Sequence, residues 1–322
     1  MTDADGTVLP WSRQGTAERV RFNAKWSARK ARYAALAGWR WYAPGLVVDA
    51  ELRGVYEIYL PWQEFRRDLR RLALSCLPHA SWLPRVLRAP SGGCCAGAGL
   101  SLPDFWAALP PRFAGQVTFS ASELPVLLCA LADPPRYGTA AGRYPDQLAW
   151  LRDWSRARQP RERMDVLDVG CGTGQGTYEL AGALRCQIPD LHVVGVTAEP
   201  LEAWMARQRQ TPHDLRPHRT FPPAPTGAAV CFVCGDARRL PFSRSFDLVV
   251  ANGLVGGPMF QGEACDMMLE QVAGCLTSGG VFTLANHFHD GFTGNIQGLK
   301  NAVRQRGWRV EETATHLVLR RG

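Results

Sequence analysis

Val166-Leu167-Asp168-Val169-Gly170-Cys171-Gly172-Thr173-Gly174-Gln175-Gly176 decides the fold. Val166 to Val169 is a short aliphatic run of the kind that fills a strand covered on both faces. Gly176 to Leu184 carries the periodicity of a helix. Between them, Gly170, Gly172 and Gly174 make a turn whose backbone can pass close to a ligand, because glycine reaches conformations that a Cβ forbids. A strand, a Gly-rich turn and a helix, in that order, open an α/β unit. Ligands of such sheets sit in the crevice beyond the carboxyl ends of the strands.

Outward from this segment the alternation continues. Apolar runs at 192–196, 230–233, 246–251 and 281–285 read as strands, with helical periodicities over 201–209, 264–276 and 294–305. The runs 308–311 and 316–319 stand too close together for a crossover helix, so they are expected to pair as an antiparallel hairpin. The pattern predicts an α/β fold with a mainly parallel seven-stranded sheet, covered by helices and closed by that hairpin.

A lone Gly-x-Gly-x-x-Gly would leave dinucleotide binding open. Here the spacing is Gly-x-Gly-x-Gly with Asp168 inside the strand, and a carboxylate there opposes a pyrophosphate at the helix N-terminus. The segment resembles the first motif of the Rossmann-like class I S-adenosylmethionine-dependent methyltransferases. The resemblance implies that the turn, with Asp168, Gly170, Cys171, Gly172, Gly174 and Gln175, receives the methionine end of S-adenosylmethionine. Later landmarks follow in the family's order. Gly195-Val196-Thr197-Ala198-Glu199-Pro200 is similar to the stretch whose acid holds the ribose. Thr197 stands where that acid is usual, so Glu199, followed by Pro200, is assigned the role; the alternative is a first-turn carboxylate facing the helix dipole. Asp236 and Ala237 match the pair that reads adenine, and Asn252 and Gly253 end the strand that faces the methyl group. The resemblance spans roughly residues 144–322.

Candidate bases are His287, His289 and Asp290, directly after the run 281–285. Histidine takes a proton near neutral pH. The alternative is that one histidine packs and the other is solvated, and a carboxylate or thiolate nucleophile needs no base. Asn252-Gly253-Leu254-Val255 lacks the Asn/Asp-Pro-Pro-aromatic tetrad of many amino-group methyltransferases, which lowers the case for a planar nitrogen.

With 322 residues the chain exceeds one typical domain of about 150. Residues 1–143 read as a mostly helical substrate or cap region and 144–322 as the cofactor-binding domain. Phe65, Leu69, Leu72 and Cys76 recur at helical spacing among Arg66, Arg67, Arg70 and Arg71, and Leu148, Leu151 and Trp154 mark a helix over 144–158. Tyr144 stands just before the core, where an aromatic face suits a sulfonium; the alternative is a loop anchor. Residues 11–42 hold eight basic side chains against Glu18, nearly the whole formal excess of +8, with Trp26, Tyr33, Trp39 and Trp41 interleaved. That mixture binds nucleic acid, or it is a solvated helix whose aromatics face a core.

The apolar run 124–132 is far below the ~20 residues that span a bilayer, and no leader is visible, so a cytoplasmic protein with no membrane partner is expected. All ten cysteines are expected reduced. Cys76, Cys129, Cys186 and Cys275 read as small hydrophobes, and Cys231 and Cys234 as part of a buried strand rather than half a zinc site, so no metal is expected. Three functional classes remain: a methyltransferase for a small molecule, one for RNA or protein, and a methyltransferase fold kept for binding alone. The sequence leaves the oligomeric state open.

Overall fold

The computed structural model describes residues 13–36, 41–43, 46–48, 62–76, 87, 109, 111–113, 115–131, 141–157, 162–211, 221–243, 245–255, 260–285 and 293–321. The chain divides into two compact units, residues 1–136 with 212–214, and residues 137–211 with 215–322.

In the first unit, α1 (Arg13–Leu36) packs on α2 (Trp62–Cys76), and α3 (Glu123–Leu131) follows a short 3-10 turn at Pro111–Phe113. A small antiparallel hairpin joins β1 (Trp41–Ala43) to β2 (Leu46–Val48). The helical spacing of Phe65, Leu69, Leu72 and Cys76 puts all four in the interior. Phe22 and Trp26 of α1 meet them, with the Trp26 and Phe65 rings edge to face at 4.9 Å. Asn23 ties α1 to the chain before α3: its Nδ2 donates to the Phe119 carbonyl at 2.8 Å and its Oδ1 accepts from the Phe119 amide at 3.0 Å.

The second unit starts with α4 (Pro145–Ala157), whose proline suits a first helical turn. The chain continues as β3 (Arg163–Val169), α5 (Gln175–Arg185), β4 (Asp190–Thr197), α6 (Pro200–Gln208) and β5 (Ala228–Cys234). After these come β6 (Phe246–Val250), α7 (Glu263–Cys275), β7 (Leu276–Leu284), α8 (Thr293–Gln305), β8 (Trp308–Glu312) and β9 (Leu317–Arg321). The strand order is β5-β4-β3-β6-β7-β9-β8. The first five strands are parallel, and β8 and β9 form an antiparallel hairpin, as the sequence pattern predicts; β9 also pairs antiparallel with β7.

Alternation along β3 sends Leu167 and Val169 into a core with α7 and α8, and Met164 and Val166 into a core with α4 and α5. The order reverses between β3 and β6, so their carboxyl ends splay apart at that point and leave the crevice where this architecture binds ligands.

Three expectations about cysteines change. Cys231 and Cys234 lie in a strand, as expected, but both are exposed, because among the described residues β5 is the sheet edge, with no partner strand on its outer side. Cys186 is exposed at the end of α5, where the helix has stopped burying side chains. Cys76, Cys129 and Cys275 are buried, and every cysteine among the described residues is a free thiol.

Candidate cofactor site

At the switch point a cleft opens to solvent, where this architecture takes its ligands. Tyr144, Gln147, Asp168, Gly170, Cys171, Glu179 and Asn252 are among its walls. The turn after β3 forms because Gly170, Gly172 and Gly174 all take positive φ, at 75°, 55° and 82°. At Gly174 even alanine is excluded by space: a Cβ there would stand 2.6 Å from the Ala206 Cβ and 2.8 Å from the Phe232 ring. The turn is pinned to the sheet by the Gly170 and Cys171 amides, which donate to the Val196 carbonyl at 2.8 and 2.9 Å.

Asp168 is 7% exposed, and burial pushes its carboxyl from 3.8 up to about 6, partly countered by the hydroxyl of Thr177. That hydroxyl donates to Asp168 Oδ2 at 2.6 Å. Burial and then the Asp168 and Glu202 carboxylates raise the Cys171 thiol, so it is a packed group against Tyr178, Ala206 and Phe232. Thr173 lies in the turn with its Oγ1 buried and without a hydrogen-bond partner among the described residues. An unsatisfied buried hydroxyl costs free energy. Glycines that admit close approach, a buried carboxylate and this hydroxyl suit the amino-acid end of S-adenosylmethionine.

On the opposite wall, the chain before α4 is held to α5. The Ala141 amide donates to Gln175 Oε1 at 3.1 Å, and the Gly142 amide donates to both Glu179 carboxylate oxygens at 2.8 and 2.9 Å. Tyr144 follows. Its hydroxyl lies 3.2 Å from where a Gly253 Cβ would stand, so a side chain at 253 would crowd the tyrosine. Burial raises the Tyr144 phenol, and the Arg143 guanidinium stands 5.9 Å from its ring centroid.

Tyr144, Asp168, Gly170, Cys171 and Asn252 thus meet in one cleft. Gln175 is buried, and its Oε1 accepts the Ala141 amide. Glu199 caps α6 without a side-chain capping bond, ahead of Pro200 at the first turn. Thr197 is buried, and its hydroxyl donates to Glu202. Asp236 is half-exposed, and the Arg238 guanidinium holds its carboxyl below the usual range while also gripping it at 3.0 Å. Ala237 is half-buried beside the core. His287, His289 and Asp290 lie outside the described residues. Sequence reasoning missed Gln147 and Glu202. Gln147 sits on a helix face that reads as plain core, and Glu202 has the pattern of an ordinary helix carboxylate.

Residues 166–280 match the family model for a methyltransferase domain. The chain is similar in structure to a ribosomal protein L11 methylase from Lactobacillus delbrueckii, with 17% identity, 57% of this chain and 82% of that chain covered, and a TM-score of 0.38. It is similar to the PH0226 protein of Pyrococcus horikoshii at 16% identity, 58% and 94% coverage and a TM-score of 0.40. It is also similar to the amino pentose methyltransferase CalS10 of Micromonospora echinaspora at 26% identity, 44% and 50% coverage and a TM-score of 0.30. No curated protein matches it. Fold and turn together define an α/β domain with a candidate site at the switch point. Residues 166–280 are thus a methyltransferase domain, of the kind that takes S-adenosylmethionine as its cofactor.

Among the described residues, no helix is long and apolar enough to cross a membrane, and no cluster of three metal-ligating side chains occurs.

Proposed function

We propose that this chain transfers a methyl group from S-adenosylmethionine to an oxygen, nitrogen, sulfur or carbon nucleophile of a small molecule. The observation that carries the proposal is the cleft itself: a buried Asp168 beside a turn whose glycines admit a ligand and whose Thr173 hydroxyl is unsatisfied among the described residues. The bound cofactor supplies the electrophilic methyl group, so the protein's task is to bind, orient and manage protons. Asp168, Gly170, Gly172 and Thr173 receive the amino-acid end. Glu199 holds the ribose through two hydrogen bonds to its carboxylate. Asp236 and the Ala237 amide take the adenine edge, with Arg238 fixing the Asp236 carboxylate. Tyr144 and Asn252 bound the methyl side, and His287, His289 or Asp290 removes a proton when the nucleophile carries one.

A small-molecule substrate is favoured over RNA by the basic helix. Lys25 Nζ lies 2.6 Å from both Glu64 and Asp68, Arg29 lies 2.8 Å from Glu64, and Trp26 is fully buried. Those charges and that ring are engaged within their own unit. Tyr33, Trp39 and Trp41 have side chains outside the described residues.

The test is transfer of a labelled methyl group into cell extract separated into small-molecule, RNA and protein fractions. Label in the small-molecule fraction is expected. Label confined to RNA or protein would move the substrate class, and binding of S-adenosylhomocysteine without any transfer would mark a binding protein.

A further inference from the structure

Gln147 is 1% exposed, on the face of α4 that meets the sheet, and it lines the cleft. Its amide pairs with that of Asn252 in both directions. Gln147 Nε2 donates to Asn252 Oδ1 at 3.0 Å, and Asn252 Nδ2 donates to Gln147 Oε1 at 2.6 Å. Three further bonds fix the polarity of this pair. The Ala285 amide donates to Asn252 Oδ1 at 2.9 Å, so that atom is the oxygen. Gln147 Nε2 also donates to Thr283 Oγ1 at 3.1 Å, and the Thr283 hydroxyl donates onward to the Leu317 carbonyl at 2.8 Å. A backbone donor at one end and a backbone acceptor at the other permit only one direction of hydrogen bonding along the chain.

The consequence falls on Asn252. Its carbonyl oxygen has two lone pairs, and both are used, by Gln147 and Ala285. One Nδ2 proton is used by Gln147. The second is all the side chain has left to offer. We infer that Gln147 is a positioning residue that holds Asn252 as a donor-only group on the cleft wall, so the ligand atom meeting Asn252 is a hydrogen-bond acceptor. The backbone donor of Ala285 and the backbone acceptor of Leu317 cannot exchange roles, so this polarity persists when a ligand enters. An N–H nucleophile therefore finds no acceptor at Asn252. This inference rests on the cofactor reading above.

The experiment is calorimetric titration of the full chain with S-adenosylhomocysteine, from pH 5 to pH 8. Gln147→Glu keeps the shape and reverses the polarity, since an ionised carboxylate turns acceptors toward Asn252 Oδ1 and Thr283 Oγ1. At pH 8 it should bind about tenfold more weakly than wild type. Toward pH 5 the ratio to wild type should narrow, because a protonated carboxyl regains one donor. A ratio that stays constant with pH would mark a packing defect and overturn the inference, as would undiminished affinity. Should Gln147→Glu fail to fold, Asn252→Asp decides. It keeps both accepting roles and loses the donor, so about tenfold weaker binding is expected, and wild-type affinity overturns the inference. Wild-type protein that binds no S-adenosylhomocysteine overturns the cofactor reading itself, and this inference with it.

Discussion

Asp168→Asn tests the electrostatics of the cofactor site. Asp168 is buried against the sheet and, among the described residues, its carboxyl takes one hydrogen bond, from Thr177; burial raises it to about 6 from 3.8. An acid whose folded pKa is raised binds its proton more tightly in the folded state. Stability is therefore fully present below the unfolded pKa and is lost as pH rises through the folded one. A rise of that size corresponds to about 3 kcal/mol, lost between about pH 4 and pH 7. Asparagine has no charge to bury and still offers an oxygen to Thr177. The variant should thus gain on wild type as pH rises, by up to about 3 kcal/mol at pH 8 compared with pH 4. Hydrogen exchange at the amides of β3 and β6, compared at equal pH so that intrinsic rates cancel, reads the opening free energy of this unit. The same variant should bind S-adenosylhomocysteine more weakly, since the carboxylate meant for the ligand's amino group is gone. A stability difference that does not change with pH would refute the reasoning: the carboxyl would then ionise without hindrance, and the site would hold no charge in reserve for its ligand.

Other outcomes follow from the same geometry. Gly174→Ala places a Cβ 2.6 Å from Ala206 at φ 82°. It should lower the melting temperature with a loss of more than about 2 kcal/mol, whereas Gly182→Ala, in α5 with open space around it, should gain about 0.5–1 kcal/mol. Glu199→Ala should weaken S-adenosylhomocysteine by roughly 1.5–3 kcal/mol in calorimetry, and Glu202→Ala by much less; the reverse order would assign the ribose to Glu202, the residue that Thr197 holds. Trp26→Ala should cost the first unit about 3–5 kcal/mol in urea unfolding, far more than Lys30→Ala, whose amine only reaches the Gly115 carbonyl.

The alternation of aliphatic runs with helical periodicities was enough to specify a parallel sheet with a terminal hairpin, because period 2 and period 3.6 bury different faces. The Gly-x-Gly-x-Gly motif after Asp168 marked the tight turn at the carboxyl end of β3, since only glycine readily supplies three positive φ values in so short a span. The amphipathic spacing of Phe65, Leu69, Leu72 and Cys76 marked the interior of a helix without any knowledge of its neighbours. Tertiary structure decided what local pattern cannot encode. Exposure of Cys231 and Cys234 depends on β5 being the edge, which is a fact of strand order. The pairing of Lys25 and Arg29 with Glu64 and Asp68 joins residues about forty apart in sequence. The Gln147–Asn252 amide pair spans 105 residues; in the sequence, each is an ordinary polar side chain with no periodicity to betray it. Hydrogen-bond polarity belongs to the partners that folding brings together, so the chemistry of this cleft wall became legible only when α4, β6 and β7 met.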